Sequence, residues 1–181
     1  MKNVTLNKGG MKMYIRKAKA EDAKGIIEVN VKTWITTYSG IIPQEILNNK
    51  EQTINESIKK CEETVEKDDN VLVAIENEKV VGIASYGKAR AVNEENTGEL
   101  YSIYVLKDYQ GKGIGEQLFK KVKNILNEKG YQEIVVTCLK QNPYNKFYKK
   151  MGGKVIKVVN SNICGIQMEE NLIQFKNLHN M

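Results

Sequence analysis

A glycine-rich turn between an apolar run and an amphipathic stretch constrains this chain more than any other feature. The run Leu100–Val105 leads to the turn Gln110–Gly115, after which apolar residues recur at helical spacing. These residues are Ile114, Leu118, Val122, Ile125 and Leu126. Glycines let the backbone approach a ligand closely, and the first amides of a helix have no partner within it. The segment is therefore predicted to be a strand, a turn and a helix whose N-terminus binds a phosphate.

Two familiar phosphate-binding loops do not fit this turn. A nucleoside-triphosphate loop requires a glycine where Leu106 stands and a Ser or Thr where Gly113 stands. A dinucleotide fingerprint requires its third glycine at Glu116 or Leu118, depending on where it starts. It also requires an acidic residue at the end of the following strand, and none lies near Cys138. The turn therefore belongs to another class of phosphate site.

The composition is that of an ordinary globular domain. The chain has 181 residues, of which 41% are hydrophobic and 28% charged, so one domain with a full core is expected. The net charge is +6, but the lysines are dispersed among Glu and Asn rather than gathered in one run. We therefore expect no nucleic-acid partner, whereas the surplus of positive charge favours a multiply anionic small ligand.

The cysteines and the apolar segments indicate a reducing compartment. Cys61, Cys138 and Cys164 are odd in number and far apart, and His179 is the single histidine. This pattern argues against a disulfide framework and against a zinc site, so no metal is expected. No stretch has the apolar length of a membrane span, and the N-terminus lacks the apolar core of a signal peptide. We therefore expect a cytoplasmic protein that does not bind membranes.

The periodicity along the chain predicts a mixed α/β order. We expect a disordered tail over residues 1–12, one domain over 13–170 and a C-terminal tail over 171–181. The predicted helices cover about 21–38, 44–48, 53–65, 114–130 and 143–151. The predicted strands cover about 14–18, 70–76, 80–87, 99–105, 131–139, 154–159 and 163–168, with the last turn at 160–162. One right-handed crossover is expected between the strands at 99–105 and 131–139.

The turn, a second motif and the element order resemble the GCN5-related N-acetyltransferase (GNAT) superfamily, as a small bacterial member. Gln110-x-x-Gly113-x-Gly115 is similar to the family's acetyl-coenzyme A signature, and Asn142 with Phe147-Tyr148 is similar to its second signature. The resemblance covers nearly all of Tyr14–Glu169. It implies a central mixed, mostly antiparallel sheet with splayed middle strands, flanked by helices, and acetyl-coenzyme A as cosubstrate.

The resemblance also implies which residues bind the coenzyme and protonate its thiolate. The coenzyme-binding residues would be Ile103, Tyr104, Val105, Gln110, Gly111, Lys112, Gly113, Ile114, Gly115, Glu116 and Asn142. Tyr148 would be the general acid, because a phenol is a proton donor matched to a thiol leaving group. The alternative is that Tyr148 only packs on the apolar face of its helix. The chain departs from the family at Asn145, where Ala is usual, and at Gly153, where Phe is usual.

The amine half of the site is assigned less directly. Glu99 stands where part of the family keeps its general base, although a solvated glutamate with a chain of waters as the base is the alternative. Trp34 and Tyr38 fall in the segment that walls the acceptor pocket in the family, or else they anchor the core. Cys138 is a candidate for a covalent acetyl-cysteine route, but no histidine is available to activate it, so a buried apolar role is preferred.

We therefore expect direct transfer of an acetyl group from acetyl-coenzyme A to a small amine or polyamine in a ternary complex. The alternatives are a protein N-terminal or lysine acetyltransferase and a non-catalytic acyl-coenzyme A sensor. A homodimer is left open.

Overall fold

The computed structural model describes residues 4–8, 11–67 and 70–176 of the chain. The helices are α1 (Ala23–Tyr38), α2 (Gln44–Gln52), α3 (Ile54–Lys67), α4 (Ile114–Glu128) and α5 (Asn145–Lys150). The strands are β1 (Val4–Lys8), β2 (Met11–Lys17), β3 (Val71–Glu76), β4 (Lys79–Lys88), β5 (Thr97–Val105), β6 (Glu133–Leu139), β7 (Lys154–Ile163) and β8 (Ile166–Phe175). The chain divides into two compact units. The first consists of Met1–Ser85 and Ser102–Phe119, and the second of Tyr86–Tyr101 and Lys120–Met181.

The first unit packs helices α1 and α3 on a sheet in which strands β1 to β4 pair antiparallel. Its strands follow the order β1-β2-β3-β4-β5. Strand β3 is apolar on both faces, as expected for a strand buried on both sides. The core cluster joins one face of α1 and α3 to the sheet through Ile26, Val29, Val65, Val73, Ile75, Val80 and Ile83. Helix α1 approaches β4 so closely that a Cβ at Gly25 would lie 2.8 Å from the Cβ of Val80, which explains the glycine.

The second unit contains the parallel strand pair. Its strands follow the order β4-β5-β6-β8-β7, and all pairs after β6 are antiparallel. Strands β5 and β6 pair in parallel only from Thr97↔Glu133 to Glu99↔Val135, although both continue beyond these residues. A parallel pair requires a long connection, and α4 supplies it. The predicted α/β class, with a mostly antiparallel sheet, is confirmed.

The closing hairpin differs from its prediction. Its turn was expected at 160–162, but β7 runs to Ile163 and the turn is Cys164-Gly165. Both turn residues have positive φ, 51° for Cys164 and 90° for Gly165, as a two-residue hairpin loop of type I′ requires. Gly165 also donates its N–H to Asn162 Oδ1 at 2.7 Å. Asn160 and Asn162 suggested the earlier turn. The turn instead forms where Gly165 adopts positive φ without strain.

Both predicted tails contain strands. Residues Val4–Lys8 form β1, which pairs with β2 from Val4↔Ile15 to Lys8↔Met11, so the expectation of a disordered segment is corrected there. Strand β8 continues to Phe175 and pairs with β6, although a tail was expected from Asn171 onward. In both cases backbone pairing with a neighbouring strand decides the structure, and the segment's own composition does not reveal that neighbour. His179 lies outside the described residues.

Among the described residues, no helix is both long enough and apolar enough to cross a membrane.

Candidate functional site

The glycine turn has the backbone conformation that the sequence predicted. After a short 3-10 turn, Gln110 donates its side-chain Nε2–H to the Val105 carbonyl at 2.9 Å and closes the loop. Gly111 and Gly113 have φ of 74° and 81°, in the left-handed region that favours glycine. A Cβ at Gly111 would meet nothing within 4 Å, and one at Gly113 would meet only Gln117 Nε2 at 3.7 Å. These glycines therefore allow the backbone to adopt positive φ, and the space beside them is open.

Five consecutive amides of this turn point to an anion site. Among the described residues, the N–H groups of 111–115 donate to no acceptor. Helix α4 begins at Ile114, so the positive end of its dipole lies at the same place. Lys112 adds a cation nearby, with its Nζ 4.8 Å from the centre of the Tyr109 ring. Aligned N–H groups at a helix start bind phosphate, and a pyrophosphate fits this set of donors.

In the first unit, helix α1 is attached to the strand that precedes the turn. The indole Nε1–H of Trp34 donates to the hydroxyl of Tyr104 on β5 at 3.0 Å. Tyr38 lies one helical turn after Trp34, and the two rings meet edge to face with centroids 5.0 Å apart. One aromatic group is thus formed by Trp34, Tyr38 and Tyr104. From the sequence, the first two were assigned to the acceptor and the third to the coenzyme. Tyr38 is buried, as its alternative role in the core also requires.

A cation covers the Trp34 ring, and sequence reasoning did not find it. Lys50 of α2 places its Nζ 4.0 Å from the ring centroid. Periodicity cannot reveal such a contact, because it depends on how α2 packs beside α1. The only signal in the sequence is that Lys50 stands in the last turn of α2, where a cation is favourable.

Two buried hydroxyl groups lie on α1 next to this aromatic group. Thr33 and Thr37 are 5% and 8% exposed, and the Oγ1 atom of each lacks a hydrogen-bond partner in the described part of the chain. They stand one helical turn apart, so their side chains share a face. Unpaired buried hydroxyls are uncommon, and these two add polar atoms to the face of α1 that is turned inward.

In the second unit, Tyr148 and Asn142 are held by local structure. Tyr148 is 8% exposed, and its ring meets that of Phe147 at a centroid distance of 5.3 Å. Asn142 accepts the Tyr144 N–H on its Oδ1 at 2.8 Å, which shapes the start of α5. Burial of Tyr148 agrees both with a proton donor beside a bound thioester and with simple packing.

Asn145 connects three elements of the second unit. Its Nδ2 donates to the Leu139 carbonyl at 2.9 Å and to the Asn142 carbonyl at 2.8 Å. Its Oδ1 accepts a hydrogen bond from Asn171 of β8 at 3.0 Å. The departure from Ala at this position therefore supplies a polar link between the end of β6, α5 and β8. Gly153, the other departure, packs so closely that a Cβ would lie 2.6 Å from Ile173 Cγ2 and from Phe175 Cζ.

Glu99 is buried and holds a loop. It is 4% exposed, and its Oε2 accepts the backbone N–H groups of Arg90 and Ala91, the latter at 3.0 Å. Glu99 is therefore not a solvated residue, and the assignment of the base to Glu99 or to a chain of waters stays a prediction. The loop also rests on Tyr101, whose ring centre lies 3.5 Å from the Arg90 guanidinium carbon. Both bonds are made to Oε2, so Glu99 anchors the loop through this oxygen.

Cys138 is a poor nucleophile in this setting. It is buried on β6, and burial raises the pKa of its thiol to about 12, with a further contribution from the charge of Glu170. The nucleophilic form of cysteine is the thiolate, which such a pKa keeps scarce at neutral pH. The preferred interpretation of Cys138 as a small buried apolar residue agrees with this environment.

Comparisons with known proteins agree on one family. The family model described as the acetyltransferase (GNAT) family matches residues 31–153. The chain is 35% identical over 158 residues to an uncharacterized N-acetyltransferase of Bacillus subtilis, YuaI, covering 86% of this chain and 88% of that protein. It is 30% identical over 153 residues to the spermidine N(1)-acetyltransferase of Thermoplasma acidophilum, with 80% and 90% covered. The solved structure of PaiA N-acetyltransferase from T. acidophilum in complex with coenzyme A matches with a TM-score of 0.70 at 26% identity, over 91% of this chain and 98% of that one.

Proposed function

The chain belongs to the GNAT family and is an acetyl-coenzyme A-dependent N-acetyltransferase, and we propose that it acetylates a small primary amine or polyamine by direct transfer in a ternary complex. The family, the enzyme class and the fold predicted from the sequence are thereby confirmed. The proposal concerns the identity of the acceptor and the direct transfer of the acetyl group within a ternary complex.

The set of unpartnered amides at 111–115 carries the coenzyme half of this proposal. They would hold the pyrophosphate, and the backbone of Ile103–Val105 in the same unit would bind the pantetheine arm. Asn142 keeps its assignment to the coenzyme from the family's second signature. The coenzyme supplies the thioester and a thiolate leaving group. Because the turn would bind the coenzyme through its backbone, replacing its glycines should weaken coenzyme binding more than replacing Lys112.

The proposed acceptor class is supported by the aromatic group around Trp34 and by the name of one related protein. Trp34 is covered by a cation, so its ring is a surface on which an alkylammonium is stable. The spermidine N(1)-acetyltransferase of T. acidophilum, which resembles this chain over 153 residues, acts on such a compound by its name. A small amine or polyamine is therefore the acceptor class that the residues favour over a peptide.

The reaction requires three proton transfers. The ammonium of the acceptor first gives up a proton to Glu99, through water or directly, and becomes a neutral nucleophile. Its nitrogen attacks the thioester carbonyl, the C–N bond forms and the C–S bond breaks. The Tyr148 phenol gives its proton to the departing thiolate, and the attacking nitrogen gives its second proton, through water, to the resulting Tyr148 phenolate, which leaves an N-acetylamine and the coenzyme thiol. A backbone N–H of β5 would stabilise the tetrahedral oxyanion.

A thiol-release screen tests the proposed acceptor class. Acetyl-coenzyme A is mixed with monoamines, polyamines, aminoglycosides and peptides, and the free thiol is followed over time. We expect small amines and polyamines to accelerate release, and peptides not to. Release stimulated only by peptides would instead make the chain a protein acetyltransferase, and coenzyme binding without any acceptor-dependent release would make it a sensor.

Tyr148→Phe tests the assigned acid. Phenylalanine preserves the buried ring and removes only the hydroxyl, so we expect turnover to fall by about 10²-fold or more while the affinity for acetyl-coenzyme A changes little. Tyr131→Phe is the matched control, since this half-buried tyrosine lies before β6 and outside the assigned site. Unchanged turnover in Tyr148→Phe would reject the role of acid.

A further inference from the structure

Two buried glutamates lie on one face of the sheet in the second unit. Glu99 of β5 and Glu170 of β8 are 4% and 9% exposed. Glu99 pairs with Val135 of β6, and Glu170 pairs with Leu139 of the same strand. Paired residues share a face, and so do residues an even number of positions apart along a strand, so both glutamates point to the same side. Glu170 lies about 13 Å farther along the sheet, because Leu139 follows Val135 by four residues.

Helices α4 and α5 lie on the other face of this sheet. A Cβ at Gly98 would lie 2.9 Å from Leu126 Cδ1 of α4. Asn171 donates its Nδ2–H to Asn145 Oδ1 of α5 at 3.0 Å. Gly98 and Asn171 each adjoin one of the two glutamates, and consecutive residues of a strand point to opposite faces. Both carboxylates are therefore turned away from the helix that carries the assigned acid, toward the side that the proposed reaction leaves for the acceptor.

Glu170 is buried without a cation of the protein. In the described part of the chain, no lysine, arginine or hydrogen-bond donor pairs with its carboxylate. The neighbouring Glu169 shows the opposite arrangement, because its side chain is 55% exposed and accepts a hydrogen bond from Lys140 Nζ at 2.9 Å. Lys157 of β7 is on the same face as Glu170 by register, but it is exposed and makes no ion pair with it. A carboxylate buried without a partner costs free energy, which a cation from outside the protein would offset.

We propose that Glu170 binds a non-reacting ammonium group of a polyamine acceptor whose reacting amine lies at Glu99. The inference rests on the proposed function for the reacting amine, and it adds the contact that selects a polyamine over a monoamine. An ammonium group and a carboxylate form a charge-assisted hydrogen bond, which is strengthened where both are partly removed from water. A monoamine has a single ammonium group, so it binds at Glu99 without this second contact.

Isothermal titration calorimetry of the full-length protein measures the contact apart from acetyl transfer. The titrations are made in saturating coenzyme A, which carries no acetyl group to transfer. Spermidine is the probe, and 1-butylamine is the comparison ligand with one ammonium group. The variant is Glu170→Gln, which preserves the size of the side chain and removes its charge. Its matched control is Glu169→Gln, which removes the same charge from the adjacent, exposed position on β8.

Glu170→Gln should raise the spermidine Kd about tenfold, the effect of losing one hydrogen bond to a charged group, and change the 1-butylamine Kd much less. Glu169→Gln should bind both amines as the unmodified protein does. The thermal unfolding midpoint of ligand-free Glu170→Gln should not fall, because an amide is less costly to bury than an unpaired carboxylate. A site that is only structural would instead lower this midpoint and leave the preference for spermidine unchanged.

Three results would overturn the inference: an equal change for both amines in Glu170→Gln, the same loss of preference in Glu169→Gln, or no binding of spermidine to the unmodified protein. Failure of the acetylation proposal is distinguishable from these results. If the titrations behave as expected while no amine stimulates thiol release from acetyl-coenzyme A, the acetylation proposal fails and the ammonium site stands. If amines stimulate release and Glu170→Gln keeps its preference for spermidine, acetylation stands and the assignment of Glu170 fails.

Discussion

The indole N–H of Trp34 donates a hydrogen bond to the hydroxyl of Tyr104 at 3.0 Å, and this bond links helix α1 to strand β5. The helix carries the residues assigned to the acceptor, and the strand carries backbone groups assigned to the coenzyme arm. One side-chain contact in the first unit therefore joins the two halves of the proposed chemistry. A shift of the tryptophan would be expected to alter acceptor binding before it altered coenzyme binding.

Tyr104→Phe tests this link. Removing the hydroxyl leaves the half-buried Trp34 N–H without its partner, so we expect a loss of about 1 kcal/mol in the free energy of unfolding and a raised KM for the amine. Chemical denaturation of Tyr104→Phe, Trp34→Phe and the double variant forms a thermodynamic cycle. A coupling energy of about 0.5–1.5 kcal/mol is expected, and additive effects would show that the bond contributes nothing.

Gly113→Asp tests the anion site. An aspartate at φ of 81° is strained and places a negative charge beside the amides of the turn, so acetyl-coenzyme A binding should be lost. Gly165→Asp is the control, because this hairpin glycine also has positive φ, 90°, and a Cβ added to it would meet nothing within 4 Å. Isothermal titration calorimetry should show binding in the control alone. Retained binding in Gly113→Asp would place the pyrophosphate elsewhere.

Two substitutions at Glu99 separate a base from a loop anchor. Glutamine keeps an oxygen that can accept the Arg90 and Ala91 amides, whereas alanine removes it. If Glu99 is the base, Glu99→Gln should lower turnover about as much as Glu99→Ala, by about 10²-fold, with its stability near that of the unmodified protein. The pH–rate profiles and thermal unfolding of both variants measure this. Normal turnover in Glu99→Gln would leave Glu99 only as the anchor of the loop.

The cysteines should differ in reactivity and in their effect on stability against pH. Cys164 is exposed, whereas Cys138 is buried with a thiol pKa raised to about 12, so a thiol reagent at pH 8 should modify Cys164 quickly and Cys138 only after unfolding. Folding favours the protonated thiol of Cys138, and this contribution is complete below the ordinary pKa of 9.0. It is lost as the pH rises from there through about 12.

Urea unfolding of Cys138→Ala between pH 8 and pH 11 measures the second effect. The variant should be less stable at pH 8 because a buried side chain is shortened, but its stability should fall less steeply as the pH rises. A slope equal to that of the unmodified protein would mean that folding does not raise the pKa of the Cys138 thiol.

The features predicted well from the sequence are those determined by short-range rules. The glycine turn was recognisable because Gly111 and Gly113 must adopt positive φ and because α4 has a clear helical period. The turn of the last hairpin was misplaced because Gly165 adopts the positive φ of a hairpin turn more readily than the two asparagines do. Strand β1 was missed because it is stabilised by backbone hydrogen bonds to β2, which its own side-chain pattern does not reveal. Lys50 was missed because a cation on an aromatic ring depends on tertiary packing.

The amount of coenzyme thiol released per acetylated amine tests the central claim most directly. The full-length protein is incubated with acetyl-coenzyme A and spermidine, the free thiol is quantified, and the amine product is identified by mass spectrometry. Direct transfer predicts equal amounts of thiol and of spermidine carrying one acetyl group, formed only when protein and both substrates are present. Binding of acetyl-coenzyme A with thiol release no faster in the presence of any amine than in its absence would contradict the account.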